Sequence, residues 1–137
     1  MMREYSTISF QMDERGVVSL GLDRVKKKNA LSALMIEELT HFALNLPKGA
    51  RVVVLSGAGD VFCAGGDLGW MKAQIDADCA TRMSEARKLA MMLKALNELD
   101  TPLIGRVHGA AFGGGIGLCC VCDSVIAEQG TKFGLTE

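Results

Sequence analysis

The chain has 137 residues, 49% of them apolar, with two prolines and a formal net charge of −1. That length supports one domain with a core, the composition is not that of a disordered chain, and the charge balance does not suit a general nucleic-acid binder. No apolar run approaches the ~18 residues of a membrane span, and no apolar signal core follows the first charges, so no membrane partner is expected and the cytoplasm is the expected compartment.

Residues 6–11 and 16–22 are β-type runs separated by Asp13-Glu14-Arg15-Gly16, which is turn chemistry, so they are expected to form a hairpin. Asp23-Arg24-Val25-Lys26-Lys27-Lys28-Asn29-Ala30-Leu31 comes next. Its three lysines fit a solvated turn and equally fit contacts to phosphates. Ser32 is placed to cap a helix reaching about Asn45, with Leu34, Met35, Leu39, Phe42 and Leu46 at roughly helical spacing. Pro47-Lys48-Gly49 stops it. Val52-Val53-Val54-Leu55 reads as a strand covered on both faces. Strand, helix, strand in that order implies a crossover between parallel strands.

The strand runs into a glycine turn, Ser56-Gly57-Ala58-Gly59-Asp60-Val61-Phe62-Cys63-Ala64-Gly65-Gly66, and Asp67 is placed to cap the segment beyond it. A long helix is expected from about Asp78 to Glu98, with Met83, Ala86, Leu89, Ala90, Leu93 and Leu96 as its apolar stripe. Asp100-Thr101-Pro102 ends it. Leu103-Ile104-Gly105-Arg106-Val107 is the next strand, and it leads into a second glycine turn, His108-Gly109-Ala110-Ala111-Phe112-Gly113-Gly114-Gly115-Ile116-Gly117-Leu118. Val125-Ile126-Ala127 reads as one more short strand. No linker or repeat interrupts the chain, so residues 1–137 are expected to form one domain.

Glycines let a backbone approach a ligand closely. At a helix start the amides are unsatisfied and favour negative charge. The second turn therefore suits an anion, or charge that develops in a reaction; simple packing of a helix on a strand also explains glycines. The dinucleotide spacing G-x-G-x-x-G fails at Leu118, and neither a phosphate loop nor a G-x-S-x-G elbow is present. The five cysteines are Cys63, Cys79, Cys119, Cys120 and Cys122, and no histidine stands near the last three to complete a metal site. They are expected to be buried small hydrophobes in a reducing compartment, and no metal is expected. His41 is expected at a surface or boundary, and His108 in a structural hydrogen bond.

Two strand-to-glycine turns about fifty residues apart are what an oxyanion hole made of two backbone amides requires. With Lys28-Asn29-Ala30-Leu31, Phe62-Cys63-Ala64-Gly65-Gly66-Asp67-Leu68, His108-Gly109, Gly113-Gly114-Gly115, Cys122-Asp123 and Phe133-Gly134-Leu135-Thr136-Glu137 in order, the chain resembles the crotonase (enoyl-CoA hydratase/isomerase) superfamily. The resemblance implies an α/β fold, a spiral of β-β-α units with a helical C-terminal region, and trimers or hexamers. It implies acyl-CoA substrates, with CoA part of the substrate and no separate cofactor. The amides of Gly66 and Gly114 would hold the thioester oxygen. Ala64, Asn29 and Ala30 match positions that contact CoA, which shifts Lys26, Lys27 and Lys28 toward CoA phosphates. Gly65, Asp67, Leu68 and Gly113 fall within the same motifs, and Trp70 and Met71 are candidates for lining the acyl pocket.

Glu137 matches the second of the family's two acidic positions. The first, two residues after the triple glycine, is here Gly117. The run Ala64-Gly65-Gly66-Asp67-Leu68-Gly69-Trp70-Met71 looks most like hydratases of branched, carboxylated substrates such as methylglutaconyl-CoA. A Δ3,Δ2-enoyl-CoA isomerase with a single glutamate is the alternative. Family subunits are considerably longer, so the domain is expected to be incomplete at its C-terminus, with the helical region missing. A non-catalytic acyl-CoA binder is the reading from a different class.

Overall fold

The computed structural model describes residues 3–136. The hairpin forms as expected: β1 (Ile8–Met12) pairs antiparallel with β2 (Val17–Leu22), Ile8 opposite Leu22. A single 3-10 turn at Val25–Lys27 leads to α1 (Ala33–Leu44), whose N-cap Ser32 accepts from Met35 N. β3 (Val52–Gly57) then lies parallel to β2, and β4 (Leu103–Val107) parallel to β3. The crossover between β3 and β4 carries α2 (Leu68–Asp76) and α3 (Cys79–Asn97), capped by Asp67 and Asp78. Two short strands with no sequence signal come next. β5 (Ala110–Phe112) and β7 (Lys132–Gly134) form a separate parallel pair beside the second glycine turn. That turn opens α4 (Gly114–Cys120), with Gly113 as its N-cap at φ 50°. β6 (Ser124–Ala127) completes a five-stranded sheet in the order β1-β2-β3-β4-β6. Among the described residues no helix is long and apolar enough to cross a membrane.

Alternation along β2, β3 and β4 turns Val18, Leu20, Leu22, Val53, Leu55, Leu103 and Val107 to one face. Met35, Ile36, Leu39 and Phe42 of α1 pack there with Met92 and Leu96 of α3, in one hydrophobic cluster. The other face has no such cover. Val52, Val54 and Ile104 are only half-buried, so β3 is covered on one face and not on both, contrary to its unbroken β-branched run.

Three further expectations are corrected. The apolar stripe of α3 is confined to its C-terminal half: Met92, absent from the expected stripe, is buried, whereas Met83 is 68% exposed. The N-terminal turns of α3 extend past the edge of the core, so periodicity alone overstates the buried length. Among the cysteines only Cys63 is buried; Cys119 and Cys122 are intermediate, and Cys79 and Cys120 are exposed. Leu34 of α1 is also exposed.

Candidate active site

The first glycine turn is laid against the second by backbone pairing. Phe62 N donates to His108 O at 2.9 Å, Cys63 N to Ala110 O at 3.2 Å, and Phe112 N back to Cys63 O at 3.0 Å. Glycines make this approach possible: at Gly109, φ +67°, a Cβ would collide with Asp60 O, and two more are needed alongside. Gly65 has φ +100°, and a Cβ there would lie 3.0 Å from Phe112 O. A Cβ on Gly115 would lie 2.7 Å from Cys63 O. Gly65 and Gly115 therefore serve packing.

Gly66 and Gly114 do something else. Leu31 N donates to Gly65 O and Asp67 N donates to Leu31 O, so Leu31 is paired alongside Gly66 like a short parallel strand. The Leu31 side chain in turn reaches Gly114, where a Cβ would meet its Cδ1 at 2.7 Å. Leu31 thus stands next to both glycines and is itself 1% exposed. Among the described residues, neither the Gly66 amide nor the Gly114 amide donates to a backbone or side-chain acceptor. Gly113 N, by contrast, is used by Gly134 O at 2.9 Å. Gly114 N is one of the orphan amides of a helix start, and both partly exposed amides can donate to an acceptor from outside the chain.

A cleft of about 500 Å³ opens from Gly66. Ala30, Ala64, Leu68 and Gly69 line one part of it, and Arg24, Lys26, Lys27 and Lys28 bring positive charge to the other. Lys26, Lys27 and Lys28 are exposed, and among the described residues none is ion-paired. Lys28 and Asn29 both take the left-handed conformation, at φ 52° and 55°, which wraps the turn around the cleft. Arg24 is committed elsewhere: its Nη1 donates to Asp67 Oδ2 at 2.8 Å and to Ala30 O at 3.0 Å.

Asn29 differs from the sequence expectation of a CoA contact. The residue is 0% exposed, so nothing in the cleft can touch it directly. Its Nδ2 donates to Ala58 O, Val61 O and Phe62 O, and its Oδ1 accepts from Arg24 N at 2.8 Å. It pins the lysine turn to the loop below the first glycine turn. Asp67 is a cap: Oδ1 accepts from Trp70 N at 2.8 Å. That bond holds its carboxyl below the usual range; burial opposes it, and Arg24 adds to it. An aspartate so stabilised as the anion is a poor proton donor.

Trp70 and Met71 stand over Gly66. A Cβ there would lie 2.9 Å from Met71 Sδ and 3.9 Å from Trp70 Cζ3. His108 is in the structural bond expected of it, Nε2 to Gly59 O at 2.6 Å, and His41 Nδ1 pairs with Tyr5 Oη at 2.9 Å. Cys63 is no nucleophile, since burial pushes its thiol up to about 11. At Gly117 a Cβ would meet only Leu93 methyls at 3.6 Å. Glu137 lies outside the described residues; Gly134, three positions earlier, pairs with Phe112 beside the second turn. Sequence reasoning missed the roles of Leu31 and Arg24. Leu31 stands inside the Lys28–Leu31 motif, but nothing local links Arg24 to Asp67, 43 residues away.

The family model described as "Enoyl-CoA hydratase/isomerase" matches residues 12–137. The chain belongs to the enoyl-CoA hydratase/isomerase family. A probable enoyl-CoA hydratase of Rhodobacter capsulatus is 38% identical over 130 residues, 94% of this chain and 49% of that protein. Mitochondrial methylglutaconyl-CoA hydratase of Mus musculus is 32% identical over 91% of this chain and 40% of its own length. The crystal structure of an enoyl-CoA hydratase from Shewanella pealeana superposes with a TM-score of 0.86 at 33% identity, covering 90% of this chain and 47% of that one. The chain therefore spans about half the length or less of these relatives, and its α/β fold matches theirs over that span.

Proposed function

We propose that this chain carries the CoA-binding and oxyanion-stabilising part of an enoyl-CoA hydratase acting on a branched, glutaconyl-type substrate. The observation that carries the proposal is the pair of unpartnered amides at Gly66 and Gly114, with a lysine-lined cleft opening from Gly66. In this reading the two amides donate to the thioester oxygen and stabilise the enolate, each worth ~3 kcal/mol in the transition state. Lys26, Lys27 and Lys28 meet CoA phosphates. Ala30 and Ala64 line the passage between phosphates and thioester, and Trp70 and Met71 form a wall of the acyl pocket. Glu137 orients water at the β-carbon and supplies the proton at the α-carbon. The glutaconyl assignment is supported by the residues around Trp70 and by the name of the mouse relative. The active form is a trimer or hexamer.

Gly117 favours one second reading. With no carboxylate there, a single glutamate could shuttle a proton from the α-carbon to the γ-carbon, which is enoyl-CoA isomerisation. Product analysis with 3-methylglutaconyl-CoA and with a 3-enoyl-CoA separates the two. Gly114→Val should lower kcat by ~10² or more, the scale for losing one oxyanion donor. Replacing Lys26, Lys27 and Lys28 together with Ala should weaken CoA binding at low salt, and the loss should shrink as salt rises. Near-parental turnover by Gly114→Val would remove the oxyanion assignment. CoA binding with no turnover of any enoyl-CoA would favour the non-catalytic binder.

A further inference from the structure

α2 has no buried residue of its own, and the N-terminal half of α3 has none either. The two are joined there by one polar contact. Trp70 Nε1 donates to Glu85 Oε2 at 3.2 Å, and the other oxygen of Glu85 accepts from Lys88 Nζ at 2.9 Å. The Glu85 side chain is 18% exposed, unusually sheltered for a carboxylate on an otherwise exposed stretch of helix. The far edge of the same indole lies against Gly66. One ring therefore spans from the carboxylate of α3 to the glycine whose amide is free.

We propose that Glu85 is a positioning residue for the acyl site: by holding Trp70 Nε1 it fixes the indole, and with it the first turn of α2, over Gly66. α2 is capped at one end by Asp67, has no fully buried residue, and meets the core through the partly buried Trp70 ring. Without Glu85 the indole keeps its packing on Gly66 and loses the bond that selects its orientation. Lys88 bonds the second oxygen of the same carboxylate, and with the Trp70 bond it holds the Glu85 carboxyl below its ordinary value. The inference rests on the proposed acyl-CoA chemistry, because it assigns the ring a role as pocket wall.

Trp70 is the chain's single tryptophan, so its fluorescence reports this contact alone. The test uses the protein in a form whose single tryptophan is Trp70. Glu85→Leu removes the acceptor, Glu85→Gln keeps one, and Trp70→Phe keeps a ring without the N–H. Glu85→Leu should shift the emission and raise acrylamide quenching, whereas Glu85→Gln stays close to the parent. With an enoyl-CoA substrate, Glu85→Leu should raise KM about tenfold, the scale of one hydrogen bond to a charged group. Affinity for CoA without an acyl group should not change. Trp70→Phe should produce the same KM change, and the double variant should add nothing further.

If the parent turns over enoyl-CoA while Glu85→Leu leaves quenching and KM unchanged, the positioning role alone is overturned. Additive effects in the double variant, or a Glu85→Gln as impaired as Glu85→Leu with the same melting temperature, also overturn it. If the parent neither binds nor turns over any enoyl-CoA, the functional proposal falls and this inference falls with it.

Discussion

Replacing Asn29 tests whether the lysine turn is held from beneath by one side chain. Two costs can be separated. The first is conformational: at φ 55° Asn is tolerated, Gly is at ease, and Ala is strained by about 1–2 kcal/mol. The second is polar: Nδ2 serves three carbonyls and Oδ1 serves Arg24 N. Of these contacts only the one to Phe62 O is fully buried, so its loss carries the larger cost of about 1–3 kcal/mol, while the part-buried groups can be rehydrated for less. Asn29→Gly should therefore lose about 3 kcal/mol and Asn29→Ala about 4 kcal/mol. Urea denaturation followed by Trp70 fluorescence measures both, with an unchanged m-value expected if the native surface is preserved. An Asn29→Gly variant within about 1 kcal/mol of the parent, the low end of that range, would refute the hydrogen-bond argument, and Ala more stable than Gly would refute the conformational one.

The glycines of α4 should split by sign. Gly115→Ala drives a Cβ against Cys63 O and should cost about 1–3 kcal/mol, whereas Gly117→Ala meets only Leu93 methyls and should gain about 0.5–1 kcal/mol; urea midpoints that move in the same direction would contradict the packing account. Glu38, 1% exposed, should govern acid stability. Burial raises its carboxyl, but bonds from Thr7 Oγ1, Ser6 N and Thr7 N outweigh that and hold it below its ordinary value. The unfolded chain then takes up the proton first, so stability is present above the unfolded value of about 4.3 and is lost as pH falls through the lower folded value. Glu38→Gln should be less stable at pH ~7 and show a shallower acid-side decline in melting temperature; an equally steep decline would exclude Glu38 as its source.

The features legible in the sequence were local. Ser32, Asp67 and Asp78 each cap a helix through an amide three residues on, so all the atoms of each signal lie within one turn. The hairpin, α1, β3, β4 and the long α3 came from periodicity and turn chemistry over similar distances. The family motif located Gly66 and Gly114 because it places both glycines after strands. Which glycines are required by packing was decided only in three dimensions, since a Cβ on Gly65 or Gly115 would crowd a chain segment about fifty residues away. β5 and β7 are three residues each, too short for any alternation to register, and exist because they pair with each other. Asn29 sits beside three lysines, which reads as solvent, yet it is buried because four partners satisfy it. The length of α3 and its helical pattern were local facts. Where its apolar stripe stops mattering depended on where the sheet beneath it ends, and that boundary is a property of the assembled core.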